Sequence, residues 1–159
     1  MKATVRTSVI VRIGLVVVGF NAVNAATSPS PDPCSLLTQK QVSAVLAMNV
    51  EVGKHVASTV CAWGVPGQPF GIGGKKATLH FITQQAWEYA NVPVPGKTIT
   101  KSQVSGVGDQ AVFGTTSGRL ATLTVKKGNV FFVVQIYGFP IEQLQEKEKA
   151  LALQVLTKL

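Results

Sequence analysis

Alternation of hydrophobic and polar side chains dominates the second half of this chain. It predicts β-strands, because successive side chains of a strand point to opposite faces. The strongest signal is Arg119–Tyr137, where two extended runs flank Lys127-Gly128-Asn129. Glycine tolerates the positive φ that tight turns need, so this segment predicts a β-hairpin. Its second run, Val130–Tyr137, is apolar on both faces, which predicts a central strand covered on both sides.

Two earlier segments alternate in the same way. Within Thr59–Val65, the pattern places Cys61 and Trp63 on one face of a strand. Within Ala77–Thr83, alanine, leucine and phenylalanine share the inward face, and His80 lies on the other. Both segments are therefore predicted strands with one face toward the core.

The polar stretch Gly96–Asp109 predicts a turn-rich loop. Within it, Gly106 and Gly108 predict a tight turn that leads into a short strand at Ala111–Phe113. A catalytic aspartate would need an acid, base or nucleophile partner, and none is evident for Asp109. We therefore predict a turn or capping role for Asp109.

Helical periodicity marks both ends of the expected domain. Thr38 followed by Gln41 forms a capping box, which predicts a helix over Thr38–Met48. A short helix or crossover is predicted over Gln84–Asn91, ended by Pro93 and Pro95. The last predicted helix has apolar residues at helical spacing on both sides of the charged segment Glu146–Lys149. These apolar residues are Ile141, Leu144, Leu151, Val155 and Leu159. Together the elements predict an α+β fold with an antiparallel sheet, an N-terminal helix and a C-terminal helix.

The beginning of the chain has the pattern of an export signal. Three basic residues precede the short apolar run Ile13–Phe20, and small residues follow it. This order predicts a signal peptide cleaved between Ala25 and Ala26, and a secreted or periplasmic protein. A retained membrane anchor is the alternative, but a spanning helix needs about 20 apolar residues. The apolar run is broken by Asn21.

Composition limits what the exported part can be. Removal of residues 1–25 leaves 134 residues, which suits a Pro/Ser-rich tether over 26–33 and one domain over 34–159. The net charge then falls from +8 to +5, because three basic residues leave with the signal. The remaining basic residues include the pairs Lys75-Lys76 and Lys126-Lys127 without interleaved aromatic residues, which disfavours nucleic-acid binding. No transmembrane segment is expected after cleavage.

Cys34 and Cys61 are the only two cysteines. A single pair in an exported chain favours one structural disulfide, which would stabilise the domain by about 3.5 kcal/mol. It would hold the first helix over the strand that carries Trp63. A free thiol pair and a metal site are the alternatives. Two cysteines are half of a zinc site and no Cys-x-x-Cys is present, so we predict no metal.

The sequence contains no evident cofactor motif or catalytic set. Gly71-Ile-Gly73 is not followed by the Gly-Lys-Ser/Thr of a phosphate-binding loop, so its glycines predict turns. His55 and His80 are the two histidines. We predict a partly exposed strand position for His80, and a ligand or pH-sensing role is the alternative. We therefore expect no enzyme and no cofactor.

Four short motifs follow one another in a distinctive order. They are Asp32-Pro-Cys-Ser-Leu-Leu-Thr38, Cys61-Ala-Trp63, Gly106-Val-Gly-Asp109 and Leu123-Thr-Val-Lys-Lys-Gly-Asn129. In this order they resemble a domain-of-unknown-function family of bacterial, mostly actinobacterial, secreted proteins and lipoproteins. The resemblance covers residues 32–159 and implies a cysteine pair joining the first helix to a strand, in an α+β sandwich similar to the Mog1/PsbP-like group. It transfers no catalytic residue, and this chain departs from many relatives in having no lipobox.

Two function hypotheses follow. The first is a non-catalytic binding or interaction module of the periplasm or cell envelope, whose partner is an unknown envelope component and whose oligomeric state is open. A concave apolar face beside basic residues would suit an anionic partner. The candidate contacts are Lys75, Lys76, Lys126 and Lys127. The alternative is a small secreted hydrolase or transferase, which needs a carboxylate or hydroxyl within about 4 Å of His55 or His80 in a pocket.

Overall fold

Antiparallel pairing organises the whole sheet in the computed structural model, which describes residues 30–70, 73–92, 99–116 and 120–159. The described strands are β1 (Lys54–Ala57), β2 (Val60–Gly64), β3 (Lys76–Phe81), β4 (Ile99–Gln103), β5 (Gln110–Thr116), β6 (Leu120–Lys127) and β7 (Val130–Tyr137). Their order in the sheet is β1-β2-β3-β7-β6-β5-β4. Two meanders, β1 to β3 and β4 to β7, are thus joined where β3 pairs with β7.

Helices lie on both faces of this sheet but cover them unequally. The described helices are α1 (Pro33–Leu36), α2 (Gln39–Leu46), α3 (Gln84–Asn91) and α4 (Ile141–Leu156). On the inner face, α4 packs on β6 and β7, α2 packs on α4, and α1 packs on β2 and β3. On the outer face, α3 contacts β6. The predicted α+β class, with an antiparallel sheet and a helix near each end of the domain, is confirmed.

The main core lies between the inner face and these helices. The strand alternation predicted from sequence is confirmed there, since every second side chain of the central strands is buried. Its largest fully buried members include Trp63, Leu79, Leu123, Phe132, Leu144 and Leu151. Each such side chain contributes about 1.5–3 kcal/mol relative to remaining exposed.

The capping box predicted at Thr38 is confirmed. Thr38 Oγ1 accepts from the backbone N–H of Gln41 at 3.2 Å, and Gln41 Oε1 accepts from the backbone N–H of Thr38 at 2.8 Å. The helix is shorter than the predicted Thr38–Met48, because Ala47 adopts a left-handed conformation with φ of 56° and ends α2 at Leu46.

Helical structure also begins earlier in the chain than predicted. Asp32 caps the additional helix α1 by accepting from the backbone N–H of Cys34 at 2.9 Å, and Pro33 is buried at its first position. The tether expected over 26–33 therefore does not include these two residues, because capping and burial hold them in place. Cys34 lies inside α1, just before the capped helix α2.

A disulfide joins Cys34 to Cys61, as predicted. It connects α1 to β2, the strand whose Cys61 and Trp63 both lie buried on the inner face. The two remaining possibilities from the sequence, a free thiol pair and a metal site formed by the cysteines, do not describe this oxidised form of the protein.

The predicted hairpin between β6 and β7 is confirmed, and Gly128 has a positive φ of 56° at its turn. Gly106 and Gly108 also have positive φ values, of 75° and 58°, in the predicted tight turn. Asp109 joins the two turns, since its Oδ2 accepts from the backbone N–H of Gly128 at 2.6 Å and its Oδ1 from Lys127 Nζ at 3.0 Å. The capping role predicted for Asp109 is thus confirmed. These bonds lower its pKa, the Gly128 bond most.

One strand contradicts the sequence prediction. The segment Gly96–Asp109, predicted as a loop, contains β4 at Ile99–Gln103, which pairs with β5 at the edge of the sheet. An edge strand exposes most of its side chains, so β4 carries little of the hydrophobic alternation by which strands are recognised. Several other predictions lie outside the described residues: the signal peptide 1–25, tether residues 26–29, Gly71, Pro93 and Pro95.

β7 is the central strand of the sheet, as predicted, but its outer face is only partly covered. At one end Phe131 packs against Trp87 of α3, with ring centroids 6.0 Å apart. Farther along, Val133, Gln135 and Tyr137 are only half-buried. The prediction that β7 is covered on both faces is therefore wrong for this half of the strand, because α3 is short and covers the outer face only near Phe131.

Candidate functional site

The uncovered half of the outer sheet face forms a cleft of about 330 Å³. We call it the open-face cleft. It is lined by alternate residues of β2, β3 and β7, with one residue from β1 and one from the β2–β3 loop. These residues are Val56, Val60, Ala62, Phe70, Lys76, Thr78, His80, Val133, Gln135 and Tyr137. Its volume lies at the lower end of the range for ligand pockets.

Strand register brings the polar side chains of this cleft together. Thr78 lies directly opposite Gln135, and Lys76 lies opposite Tyr137, on the paired strands β3 and β7. Opposite residues of an antiparallel pair project from the same face. The two pairs therefore form successive polar rows along the floor of the cleft.

Tyr137 is held in place within this floor. Its hydroxyl donates a hydrogen bond to Gln135 Oε1, and Thr78 Oγ1 donates to the Gln135 backbone carbonyl at 3.4 Å. Burial raises the pKa of Tyr137 above its usual value, although a side-chain hydrogen bond with Thr78 opposes this. The phenol is therefore neutral at physiological pH and contributes a polar edge rather than a charge.

An apolar wall faces these rows. Val56 and Phe70 stand at one side and are unusually exposed for their type, at 52% and 40%. Val56 reaches the cleft where the β1–β2 register shifts between His55 and Ala57. Val60 and Val133 line the cleft from β2 and β7. The cleft thus combines an apolar wall with a polar floor.

Lys76 supplies the charge of the cleft. Its Nζ donates to the Phe70 carbonyl at 2.6 Å and lies 4.7 Å from the Tyr137 ring centroid and 5.5 Å from that of Phe70. All seven acidic residues of the chain fall within the described residues, and none of them lines the cleft. The local potential is therefore positive, which favours an anionic ligand.

His80 lies in the cleft directly opposite Val133 and is half-buried. Burial lowers its pKa, so the imidazole is neutral at pH 7. No hydrogen bond or ion pair joins it to another of the described side chains. The prediction of a partly exposed strand histidine is confirmed. A neutral imidazole can still offer one donor or acceptor to a ligand.

The four lysines predicted as partner contacts do not form one patch. Lys76 lies opposite Tyr137, whereas Lys126 lies opposite Phe131, six positions away on β7 and thus about 20 Å along the strand. Lys75 lies over the Phe139 ring, with Nζ 5.2 Å from its centroid, and Lys127 pairs with Asp109. Of the four, only Lys76 lines the open-face cleft.

His55 occupies a different place, on the edge strand β1. Its Nε2 lies 3.2 Å from Asp32 Oδ1. This meets the carboxylate distance expected for the hydrolase or transferase hypothesis. Both side chains are about half exposed, and no hydroxyl among the described residues is hydrogen-bonded to His55. The pair therefore has the base and its orienting acid without an aligned nucleophile.

The His55–Asp32 pair was not foreseen from the sequence, because the two residues lie 23 positions apart. The open-face cleft was also missed. Its Phe70 lies in a loop next to the predicted glycine turns, and the place where α3 packs on the sheet follows from tertiary contacts.

The comparisons with known proteins found no matching family model, curated protein or solved structure. No helix within the described ranges is long and apolar enough to cross a membrane.

Proposed function

We propose that this protein is an exported, non-catalytic binding module of the periplasm or cell envelope, and that its open-face cleft binds an anionic envelope lipid. The single observation that carries the proposal is an uncovered, partly apolar cleft that contains Lys76 and no acidic side chain. One face of an antiparallel sheet is often solvated, but contiguous apolar side chains exposed on that face commonly mark a binding site.

The lining favours a lipid over a charged polymer. A polymeric anion needs positive charges spaced along a surface, but only one lysine lines this cleft and the other pair lies at the far end of β7. An amphipathic anion needs one charged contact beside apolar surface. Lys76 beside Phe70, Val56 and Val133 meets that need.

Two further observations support export. The amino-terminal pattern of basic residues, a short apolar run and small residues is typical of a signal peptide. The Cys34–Cys61 disulfide is compatible with an oxidising compartment. A catalytic role receives less support, because neither His55 nor His80 is hydrogen-bonded to a candidate nucleophile among the described residues.

The proposal is tested by sedimentation of the exported protein, purified after secretion, with lipid vesicles. Vesicles of phosphatidylcholine with and without phosphatidylglycerol are compared at low and high salt. We expect retention on the anionic vesicles at low salt, weakened at high salt because ions screen the lysine contact.

Two matched variants identify the surface used. Lys76→Gln removes the charge of the cleft and should weaken binding by about 1 kcal/mol, or roughly fivefold. Lys40→Gln makes the same change at an exposed position of α2, on the opposite layer, and should leave binding unchanged. Equal retention on neutral and anionic vesicles, or equal losses in the two variants, would contradict the proposal.

A further inference from the structure

We propose that reduction of the Cys34–Cys61 disulfide creates a binding site for a divalent zinc-like metal ion. The donors are the two cysteine thiolates, the His55 imidazole and the Asp32 carboxylate. We call these residues, Asp32, Cys34, His55 and Cys61, the four-donor cluster. This site is separate from the open-face cleft and does not depend on the function proposed for it.

The donor atoms already lie close together in the oxidised protein. One ligand atom each from Asp32, Cys34 and His55 lies within 4.8 Å of the others, and Asp32 Oδ1 is 3.2 Å from His55 Nε2. Cys61 is bonded to Cys34 and lies directly opposite His55 in the β1–β2 register. Three of the donors therefore lie together, and the Cys61 sulfur is placed beside them by its bond to Cys34.

These distances suit a tetrahedral ion. Metal–ligand bonds of about 2.0–2.3 Å place neighbouring donors of a tetrahedral zinc site roughly 3.3–3.8 Å apart. The proposed site requires side-chain rotations that bring the donors to these separations once the disulfide is open. Two cysteines are half of a zinc site, and the fold supplies the other half by bringing together Asp32 and His55, which lie 23 positions apart.

The chemistry of the donors selects the class of metal. Thiolate and imidazole ligands favour zinc and related borderline ions over magnesium or calcium, which prefer oxygen. Asp32 and His55 are exposed and Cys34 is half-buried, so an ion can enter from solvent. The oxidised cluster lacks thiolates, so the site exists only after reduction.

The conversion has two balanced steps. A thiol or phosphine reductant supplies two electrons, and two protons from water complete the conversion of the disulfide to two thiols. The metal ion then displaces those two protons as both sulfurs bind it as thiolates. The bound ion would again join α1 to β2, so a metal link replaces the covalent link that reduction removed.

The test uses the exported protein, treated without oxygen with a phosphine reductant and then titrated with Co²⁺ as a spectroscopic substitute for Zn²⁺. We expect one Co²⁺ per chain, with thiolate-to-metal charge-transfer absorption and the visible absorption of a tetrahedral site. Zn²⁺ should displace it. The oxidised protein should give neither signal.

Variants separate a built site from loose thiol binding. His55→Ala and Asp32→Asn should each weaken Co²⁺ binding at least tenfold, and asparagine keeps an oxygen that can cap α1. His80→Ala should leave the affinity unchanged. Circular dichroism follows folding throughout. The proposal is overturned if reduced protein gives no thiolate absorption, if these variants bind alike, or if reduction unfolds the chain and the metal does not restore it.

Discussion

Glu148 Oε1 accepts a hydrogen bond from the backbone N–H of Ile136 at 3.0 Å, so a carboxyl group of α4 reaches the central strand of the sheet. Pairing between β6 and β7 ends at Leu123 and Val134, two positions before Ile136. The carboxyl group therefore takes the place of a strand partner where the two strands separate. This explains why a residue of the charged segment in α4 is fully buried.

This contact predicts a pH-dependent stability. Burial raises the pKa of Glu148 from 4.5 to about 8, against the opposing effect of backbone N–H groups at Ile136 and Leu123. Because the folded state holds the proton more tightly, the contribution of Glu148 is complete below about pH 4.5 and is lost as the pH rises toward 8. Between these values it should lower the free energy of unfolding by at most about 1.4 kcal/mol per pH unit.

Glu148→Gln keeps an acceptor for Ile136 and removes the titration. Urea unfolding at several pH values should therefore show the variant gaining stability relative to the natural protein as the pH rises from 5 to 8. Glu146→Gln, at an exposed position of the same helix, is the control and should leave the pH dependence unchanged. A constant difference between Glu148→Gln and the natural protein would refute this account of the buried carboxyl.

The disulfide and the predicted signal cleavage determine the expected mass of the secreted protein, and the disulfide contributes to its free energy of unfolding. Intact-mass measurement of the secreted protein should give a chain that starts at Ala26 and is two hydrogens lighter than the reduced form. Replacing Cys34 and Cys61 together by serine should lower the free energy of unfolding by about 3.5 kcal/mol, because the unfolded chain loses its closed loop. An uncleaved amino terminus or two free thiols would contradict the export account.

Two glycines give a matched test of packing behind the disulfide. A Cβ on Gly53 would lie 2.6 Å from Trp63 Nε1 and 2.9 Å from Cys61 Sγ. Gly53→Ala should therefore destabilise the protein by about 1–3 kcal/mol. Gly114→Ala, whose Cβ would meet its nearest neighbour at 3.5 Å, should cost little. Comparable unfolding midpoints for the two variants would show that the Trp63 side of the core is looser than described.

Local signals in the sequence predicted much of the fold. The capping box at Thr38, the turn at Gly128 and the alternation around Cys61 all depend on residues a few positions apart, and all three agree with the structure. The edge strand β4 was missed because exposed edge positions carry no hydrophobic alternation. Burial of Glu148 was not predicted, because the charge of the segment Glu146–Lys149 gives no sign of a partner on β7.

The candidate site was predicted less well than the fold. Of the predicted partner contacts, Lys76 lines the open-face cleft, whereas Lys126 and Lys127 lie at the other end of β7. Pairs of lysines look equivalent along the chain, and only strand register separates them in space. The approach of Asp32 to His55 likewise depends on α1 being held against the sheet, which no local pattern reveals.

The central claim is that the open-face cleft binds an anionic lipid, and an NMR titration of the exported protein tests it most directly. A short-chain phosphatidylglycerol and the matching phosphatidylcholine are added separately. We predict saturable chemical-shift changes at the backbone amides of Ala62, Thr78 and Gln135 with the anionic lipid. The neutral lipid should give much smaller changes. Shifts confined to α4 or to the Lys126–Lys127 end of the sheet, or no shifts at all, would contradict the account.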